Sequence, residues 1–325
     1  MIDVFRMVIH MKEIRITDIE GFRFGNAEYT ENATGCTVIL ADPGAVTGID
    51  IRGGAPASRE SGLLNPLADN SSVNAVLLSG GSAFGLSAAD GVVRYLEERN
   101  IGFPTDVGVV PIVCASCLFD LALVDSKVRP DSALGYQACL NAEQGIFSEG
   151  SYGAGCGATV GKVLGADHMM KAGLGTYALQ VGDLKVGAIV AVNAVGDIHD
   201  PEGKKIAGVR DPQTGRFIDA SEALVETMQA VNLFRTNTTI GAIITNAGLN
   251  KTALTKVAGM AHDGFARAIR PVHTMFDGDT VYAMSNGKVP ADINTVGIMA
   301  AKAMAAAIAR AARPQGPTYG VAAAE

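Results

Sequence analysis

The sequence has 325 residues, of which 48% are hydrophobic and 18% are charged, and its formal net charge at pH 7 is -7. This composition predicts a globular protein with a large core and excludes a disordered chain. The acidic balance, without any basic run, argues against a nucleic-acid partner. Apolar runs are broken by glycine, serine or charge well short of the ~20 residues of a membrane span, so no membrane partner is expected.

Short β-branched runs alternate with alanine-rich segments along the chain. The runs predict strands, and the segments, whose apolar residues recur with helical period, predict helices. In chain order we predict strands at 37–40 and 73–78, a helix at 87–99, strands at 177–181 and 186–192, a helix at 219–230, a strand at 239–245, a helix at 252–269, a strand at 280–284 and a helix at 291–312. Asp219, with Glu222 three residues later, resembles an N-terminal capping pair. Regular structure is expected to begin at Ile14.

The length allows two domains, but we expect a single domain over residues 1–325, because α/β folds of this size often form one. The N-terminus lacks the basic leader and small-residue cleavage site of a signal peptide. Residues 1–13 and 314–325 have little to bury and are predicted to be loose. Residues 196–237 carry turn formers and charges with little apolar period before Asp219. A surface excursion of that length is often functional or disordered.

The chain has five cysteines, an odd number in a protein too large to need disulfide bonds. Free thiols and a cytoplasmic location are therefore expected. Cys114 and Cys117 have the spacing of a redox or metal pair, but no second pair and no histidine lies near them, which favours a buried structural role. The histidines form no zinc motif, so we predict no metal.

Two glycine-rich segments suggest nucleotide binding at first sight. The segment from Gly153 to Lys162 ends in Gly-Lys, but a P-loop needs glycine where Cys156 stands and serine or threonine where Val163 stands. The segment 77–85 follows a predicted strand and precedes a predicted helix, as an anion-binding loop does. It lacks the GxGxxG register, so tight backbone packing is the favoured reading. Ser82 as a hydrolase nucleophile is the alternative, although the segment is not a GxSxG elbow.

The run Asn237-Thr238-Thr239-Ile240-Gly241 ends a long polar stretch and opens an apolar strand. Cleavage before Thr238 would give this threonine a free α-amine with a pKa of ~7.7–8.0, close enough to accept the proton of its own hydroxyl. One residue would then be both nucleophile and base. The alternative is that Thr238 and Thr239 are ordinary β-branched residues at the start of a strand.

An ordered set of motifs between residues 14 and 288 resembles the self-processing DmpA-type aminopeptidases, which include the β-peptidyl aminopeptidases and the nylon-oligomer hydrolase. The motifs are Thr34-Gly-Cys-Thr-Val, Ile51-Arg-Gly-Gly-Ala-Pro, Ser79-Gly-Gly-Ser-Ala-Phe-Gly-Leu, Gly157-Ala-Thr-Val-Gly-Lys, Ala191-Val-Asn-Ala-Val-Gly-Asp, Asn237-Thr-Thr-Ile-Gly and Arg270-Pro-Val-His-Thr-Met-Phe-Asp-Gly-Asp-Thr-Val. The resemblance implies an α/β fold, a four-layer αββα sandwich. It further implies cleavage between Asn237 and Thr238 into chains 1–237 and 238–325, a homo-oligomer (a tetramer or larger) and no cofactor.

The resemblance also implies a set of catalytic residues around Thr238. Asn193 would stabilise the oxyanion, and Lys162 would place positive charge beside the nucleophile. Asp277 and Asp279 would face one side of an extended segment, orient Lys162 and the Thr238 ammonium, and hold a substrate amine. Each has a plainer alternative, since Asn193 could cap a loop, a lone lysine is usually solvated, and Asp-Gly-Asp is often a turn.

Two departures from the family pattern bear on function. The β-peptidyl branch carries Ser-x-Glu where this chain has Asp277-Gly-Asp279, so the nylon-hydrolase branch is the closer likeness. An active-site tyrosine of the family aligns with Phe119, which lacks the hydroxyl.

Three functions remain open from the sequence. The leading one is an amide hydrolase acting on small peptides, amino-acid amides or ω-amino acid oligomers. The others are an acyltransferase of the ornithine-acetyltransferase type and a catalytically inactive binding protein.

Overall fold

The computed structural model describes residues 11–70, 72–227 and 237–324. The strands are β1 (Lys12–Ile14), β2 (Phe22–Tyr29), β3 (Thr34–Ile51), β4 (Ser58–Arg59), β5 (Ser72–Ser79), β6 (Phe103–Thr105), β7 (Gly108–Val110), β8 (Val113–Cys117), β9 (Thr159–Val160), β10 (Met170–Lys171), β11 (Leu174–Val181), β12 (Leu184–Ala191), β13 (Asp197–His199), β14 (Lys205–Ala207), β15 (Ile240–Ala247), β16 (Ile269–Arg270) and β17 (Thr280–Val289). The helices are α1 (Ala88–Glu97), α2 (Ser132–Glu143), α3 (Ala220–Thr227), α4 (Lys251–Ala268) and α5 (Ile293–Ala311). None of these helices is long and apolar enough to cross a membrane.

The long strand β3 connects two packed sheets. Its C-terminal part, from Val46 to Ile51, pairs with β17 and completes a first sheet in the order β1-β11-β12-β15-β17-β3. Its N-terminal part pairs with β2 on one side and β5 on the other, in a second sheet that continues through β8 to β4. The register between β3 and β5 shifts between Leu40 and Ala45. One strand therefore belongs to both sheets.

Alternating side chains along each strand show where the layers lie. In β15, Ile240 and Ile244 belong to the apolar cluster between the two sheets, whereas Ile243 belongs to the cluster under α4 and α5. In β5, Leu78 faces the space between the sheets and Leu77 packs with residues of α1 and α2. Because successive side chains of a strand point to opposite faces, each sheet has one face on the other sheet and one face on helices. The predicted four-layer αββα sandwich is confirmed.

The predicted elements lie within or close to observed ones, with β1 beginning at Lys12 rather than at Ile14. The predicted helix 219–230 is α3, and residues 228–230 lie outside the described residues. Asp219 caps it, because its Oδ1 accepts the backbone N–H groups of Ser221 and Glu222 at 2.8 and 3.1 Å. Helix α2 was not predicted. It packs so closely on α1 that a Cβ at Gly135 would lie 1.9 Å from the Ala88 carbonyl oxygen. Its buried face consists mostly of small residues, Gly135, Ala138, Cys139 and Ala142, which give a weak apolar signal.

The segment 196–237, expected to be a surface excursion, contains strands β13 and β14 before helix α3 in the part that the structure describes. Strands β13, β14 and β16 form a small sheet, and the chain folds around the buried Asp197. Its carboxylate accepts the N–H groups of Val209 and Ala220, each at 2.9 Å, and pairs with Lys205 Nζ at 2.5 Å. Residues 228–236 of this segment lie outside the described residues.

The C-terminal segment, predicted to be loose, makes backbone hydrogen bonds to the body of the protein. The Gln315 carbonyl accepts from Ser151 N at 2.8 Å, and the Ala322 carbonyl accepts from Lys171 N at 2.6 Å.

Cys114 and Cys117 are buried free thiols, as expected for a structural role. Burial raises the pKa of Cys114 to about 12, so neither redox nor metal chemistry is favoured there.

Substitution of Tyr282 tests the contact between the two sheets. Tyr282, on β17, is fully buried, and its hydroxyl lies 2.8 Å from Ser116 Oγ on β8 of the second sheet. Tyr282→Phe should lower the free energy of unfolding by ~1–2 kcal/mol, because Ser116 keeps a buried hydroxyl without its partner. Adding Ser116→Ala should recover part of this loss. Urea denaturation of the two single variants and the double variant measures the coupling, and simply additive losses would contradict the prediction.

Candidate active site

Strand pairing brings the predicted site residues to one edge of the first sheet. Strand β12 runs antiparallel to β15, with Ala191 opposite Ile240, and β15 runs parallel to β17, with Ile240 opposite Thr280. The end of β12 therefore meets the starts of β15 and β17. Asn193 follows β12, Thr238 precedes β15, and Asp277 and Asp279 precede β17. Residues far apart in the chain thus become neighbours.

Thr238 is buried and held by three hydrogen bonds. Its backbone N–H donates to the Asn193 carbonyl oxygen at 2.9 Å. Its hydroxyl donates to the carbonyl oxygen of Asn237, the residue immediately before it. The same Oγ1 accepts from Gly278 N at 3.1 Å, and a Cβ at Gly278 would lie only 2.8 Å from it. The hydroxyl therefore lies beside the carbonyl of the peptide bond that precedes it.

Asn193 connects Thr238 to Lys162. Lys162 Nζ donates to Asn193 Oδ1 at 2.7 Å and to its backbone carbonyl at 3.1 Å. The same Oδ1 accepts from Thr159 N at 3.1 Å, and Asn193 Nδ2 donates to the Phe119 carbonyl at 2.9 Å. Phe119 follows β8 of the second sheet, so this side chain joins the two sheets. The contacts fix both ends of the amide group.

The two aspartates have separate partners. Asp279 Oδ1 accepts from Thr239 N at 2.8 Å, and its Oδ2 lies 2.8 Å from His273 Nδ1. Asp277 Oδ2 accepts from the backbone N–H and the hydroxyl of Thr274, at 2.9 and 2.6 Å. Asp277 N donates to the Thr274 carbonyl at 3.2 Å, so a turn leads into Asp277, and β17 begins only at Thr280. Asp279 holds the chain next to Thr238, and Asp277 holds its own loop.

Burial shifts the pKa values of Lys162 and Asp277 toward neutral pH. It lowers the pKa of Lys162 to about 7, against the opposing attraction of Asp277 and Asp120. It raises the pKa of Asp277 to about 6, and the nearby Asp279 charge raises it further in the same direction. Perturbed pKa values of this kind cluster at functional sites. The lysine predicted from the sequence is therefore buried inside the protein rather than solvated.

The structure adds residues that the sequence reasoning did not assign. Gly278 donates to the Thr238 hydroxyl, and His273 contacts Asp279 through its ring and, at 3.1 Å, through its backbone N–H. Both lie inside the motif that begins at Arg270, and this motif is the sequence feature from which their roles could have been predicted. The Phe119 side chain lines a cavity beside Lys162, although its contact with Asn193 is made by its carbonyl. Over the described ranges, no group of three or more His, Cys, Asp or Glu side chains could hold a metal ion.

Comparison with known proteins gives the family. A model of peptidase family S58 matches residues 15–315. An uncharacterized aminopeptidase of Mycobacterium tuberculosis is 40% identical over 292 residues, which cover 84% of this chain and 82% of the relative. A 6-aminohexanoate-oligomer endohydrolase of Kocuria sp. is 34% identical over 313 residues, which cover 91% of this chain and 85% of the relative.

Solved structures give the fold. A β-aminopeptidase of Burkholderia sp. superposes with a TM-score of 0.67 at 20% identity, covering 97% of this chain and 92% of that one. An L-aminopeptidase D-Ala-esterase/amidase of Ochrobactrum anthropi, described as a variant of the Ntn-hydrolase fold, has a TM-score of 0.72 at 20% identity, covering 95% and 90% of the two chains. The chain therefore belongs to peptidase family S58, a family of aminopeptidases and amide hydrolases, and has the fold of the Ntn hydrolases.

Proposed function

We propose that this protein is a self-processing amide hydrolase with Thr238 as its nucleophile. Thr238 would cut the peptide bond after Asn237 and would then hydrolyse amide bonds of small peptides, amino-acid amides or ω-amino acid oligomers. The observation that carries the proposal is the contact between the Thr238 hydroxyl and the Asn237 carbonyl. The names of the relatives, aminopeptidases and 6-aminohexanoate-oligomer endohydrolases, support small amides as the substrate class.

In the cleavage step, Thr238 Oγ attacks the carbonyl carbon of Asn237. The C–N bond breaks, the hydroxyl proton passes to the departing nitrogen, and an ester joins Asn237 to Thr238 Oγ. Water then hydrolyses the ester, which gives the chain 1–237 a carboxylate and returns a proton to Oγ. The Gly278 N–H at 3.1 Å from Oγ1 and the Asn193 carbonyl at 2.9 Å from the Thr238 nitrogen support this step, because they fix the two reacting atoms of Thr238.

In turnover, the new α-amine of Thr238 accepts the hydroxyl proton while Oγ attacks the substrate carbonyl. The amine has a pKa of ~7.7–8.0 in an unperturbed chain, which suits a base at neutral pH. Asn193 stabilises the oxyanion, and its fixed side chain means that little reorganisation is needed as charge develops. Asp279 keeps Thr239, and with it the nucleophile, in position through the 2.8 Å bond to Thr239 N.

Lys162 is a residue of the site whose charge can change near neutral pH. A lysine with a pKa of about 7 is charged in part of the molecules at neutral pH and can give up a proton without leaving the protein interior. Its bonds to both oxygens of Asn193 place this charge next to the residue proposed to hold the oxyanion.

Substitution of Thr238 tests the nucleophile. Purified wild-type protein should contain a fragment with the N-terminal sequence Thr-Thr-Ile-Gly, and Thr238→Ala should remain one uncut chain without amidase activity. Thr238→Ser should still be cut, since serine keeps the hydroxyl. Intact mass and N-terminal sequencing give the result.

The matched control is Thr239→Ala, which removes the neighbouring buried hydroxyl and leaves Thr238 intact. It should be cut at the same bond as the wild type. A Thr238→Ala protein that is still cut and active would refute the proposal, as would an active wild-type protein that is never cut.

The buried state of Lys162 predicts a pH-dependent stability. Its folded pKa lies below its unfolded value of ~10.4, so between these values the unfolded state binds more protons and stability rises with pH. Lys162→Met removes this dependence. The free energy of unfolding of the wild type should therefore rise relative to Lys162→Met by ~3 kcal/mol between pH 7 and pH 9.5. Urea denaturation of both proteins at the two pH values measures it, and parallel pH profiles would contradict the assignment of a depressed lysine pKa.

A further inference from the structure

A second cavity lies beside helices α4 and α5 and is separate from the candidate active site. It has a volume of about 480 Å³ and is formed by β11, the turn between β13 and β14, the end of α4, β16 and α5. None of Lys162, Asn193, Thr238, Asp277 and Asp279 lines it. Cavities of this size hold small molecules in many proteins. The question is therefore which chemistry this cavity would accept.

Three basic side chains line the cavity from three different elements. Arg267 belongs to α4, Arg270 to β16 and Lys302 to α5. All three are exposed, and within the described ranges none of them has a carboxylate within 4.0 Å or a side-chain hydrogen bond. Arg267 lies in the last turn of α4, where a cation also interacts favourably with the helix dipole. That effect accounts for one of the three and leaves the other two without a structural partner.

The acidic residues of the chain do not balance this cluster. The chain as a whole has 33 Asp and Glu residues against 26 Lys and Arg residues. Among the described residues that line the cavity, Asp200 is the one acidic side chain, and its Oδ1 accepts the backbone N–H of Lys204 at 2.8 Å. A concave surface lined mainly by charges of one sign concentrates their field and attracts the opposite charge. The cavity is thus suited to an anion.

A buried histidine gives independent support for a ligand. His199, on β13, lines the same cavity with 8% of its surface exposed, and its Nδ1 has no hydrogen-bond partner in the part of the chain that the structure describes. Burial, followed by the Arg270 charge, lowers the pKa of His199. The imidazole is therefore neutral at pH 7.5 and has one N–H group to donate. An anion bound in the cavity would offer this ring an acceptor.

The size and the apolar walls of the cavity indicate that the anion has a carbon part. The lining is completed by the ring of Tyr177 and by Pro201, Ala268, Ala305 and Ala306. Guanidinium groups bind phosphate oxygens through paired N–H donors, and a lysine adds a compact positive charge. A phosphate group alone would leave most of the 480 Å³ unfilled.

We propose that this cavity binds a small phosphate monoester, with the phosphate group among Arg267, Arg270 and Lys302 and the carbon part against the apolar walls. At pH 7.5 a phosphate monoester carries about two negative charges, because its second pKa is ~6. This charge matches three basic side chains and one acidic side chain. The inference is independent of the proposed nucleophile, since the cavity shares no residue with the candidate active site.

Isothermal titration calorimetry with phenyl phosphate tests the site in the whole protein. At pH 7.5 and ~150 mM NaCl, wild-type protein should bind phenyl phosphate with a Kd below ~1 mM. Phenyl sulfate, which has the same ring and one negative charge, should bind about tenfold more weakly. Inorganic phosphate should bind about threefold more weakly or worse, because it lacks the apolar part.

Substitutions on two different elements locate the ligand. Arg270→Gln and Lys302→Gln should each raise the Kd for phenyl phosphate about tenfold, because each removes one charge from the cavity. Arg270→Lys should bind more tightly than Arg270→Gln, since it keeps the charge without the guanidinium fork. Arg216→Gln is the matched control, because Arg216 is exposed and does not line this cavity. Its Kd should stay within about twofold of the wild-type value.

All of these variants should keep the wild-type Tm to within ~2 °C, because the side chains they replace are exposed. A wild-type protein that does not bind phenyl phosphate at ~10 mM would overturn the proposal. Unchanged affinity in Arg270→Gln and Lys302→Gln, or equal weakening in Arg216→Gln, would refute the site as well. Equal Kd values for phenyl phosphate and phenyl sulfate would overturn the requirement for a dianion, and equal values for phenyl phosphate and inorganic phosphate would overturn the assignment of an ester.

Discussion

The position of β15 between β12 and β17 is the constraint on which the site depends. Pairing with β12 brings the Asn193 carbonyl to the Thr238 nitrogen, and pairing with β17 brings Gly278 and Asp279 to the other side of the same residue. The apolar faces of β15 fix its register, since a shift by one residue would move Ile240 and Ile244 out of the space between the sheets. The geometry around Thr238 is thus fixed by core packing as well as by polar contacts.

The site also contains several buried ionisable groups, and their burial lowers the stability of the folded protein. Lys162, Asp277 and Asp120 are each at most 6% exposed, and burial shifts the pKa of each toward the neutral form. A folded protein gains little from such groups, because desolvation offsets their mutual attraction. Their presence together at the edge where the two sheets meet is easier to understand as a requirement of chemistry than of folding.

Elements such as β15, β17 and α4 could be predicted from their apolar runs and helical period, whereas the four-layer arrangement followed from the motifs that resemble the family. The positions of Thr238, Asn193 and Lys162 on neighbouring segments followed from the resemblance. The separate partners of Asp277 and Asp279 could not be predicted, because they come from Thr274, His273 and Thr239, whose positions depend on the turn before Asp277 and on strand pairing. Helix α2 was missed because the face that packs on its neighbours is made mostly of small residues, whose apolar signal is weak.

If the chain is cut before Thr238, as proposed, the strand order has a consequence for how long the cut protein stays folded. The segment after Thr238 contributes β15 and β17, which lie between β12 and β3 of the preceding segment in one continuous sheet. Cutting the bond before Thr238 would therefore leave two chains that share a sheet and a core. Neither chain could dissociate without disrupting that sheet and that core. Before the cut, folding is an event within one chain. After it, recovery from unfolding needs two separate chains to meet, so the persistence of activity would be governed by the rate of unfolding rather than by an equilibrium.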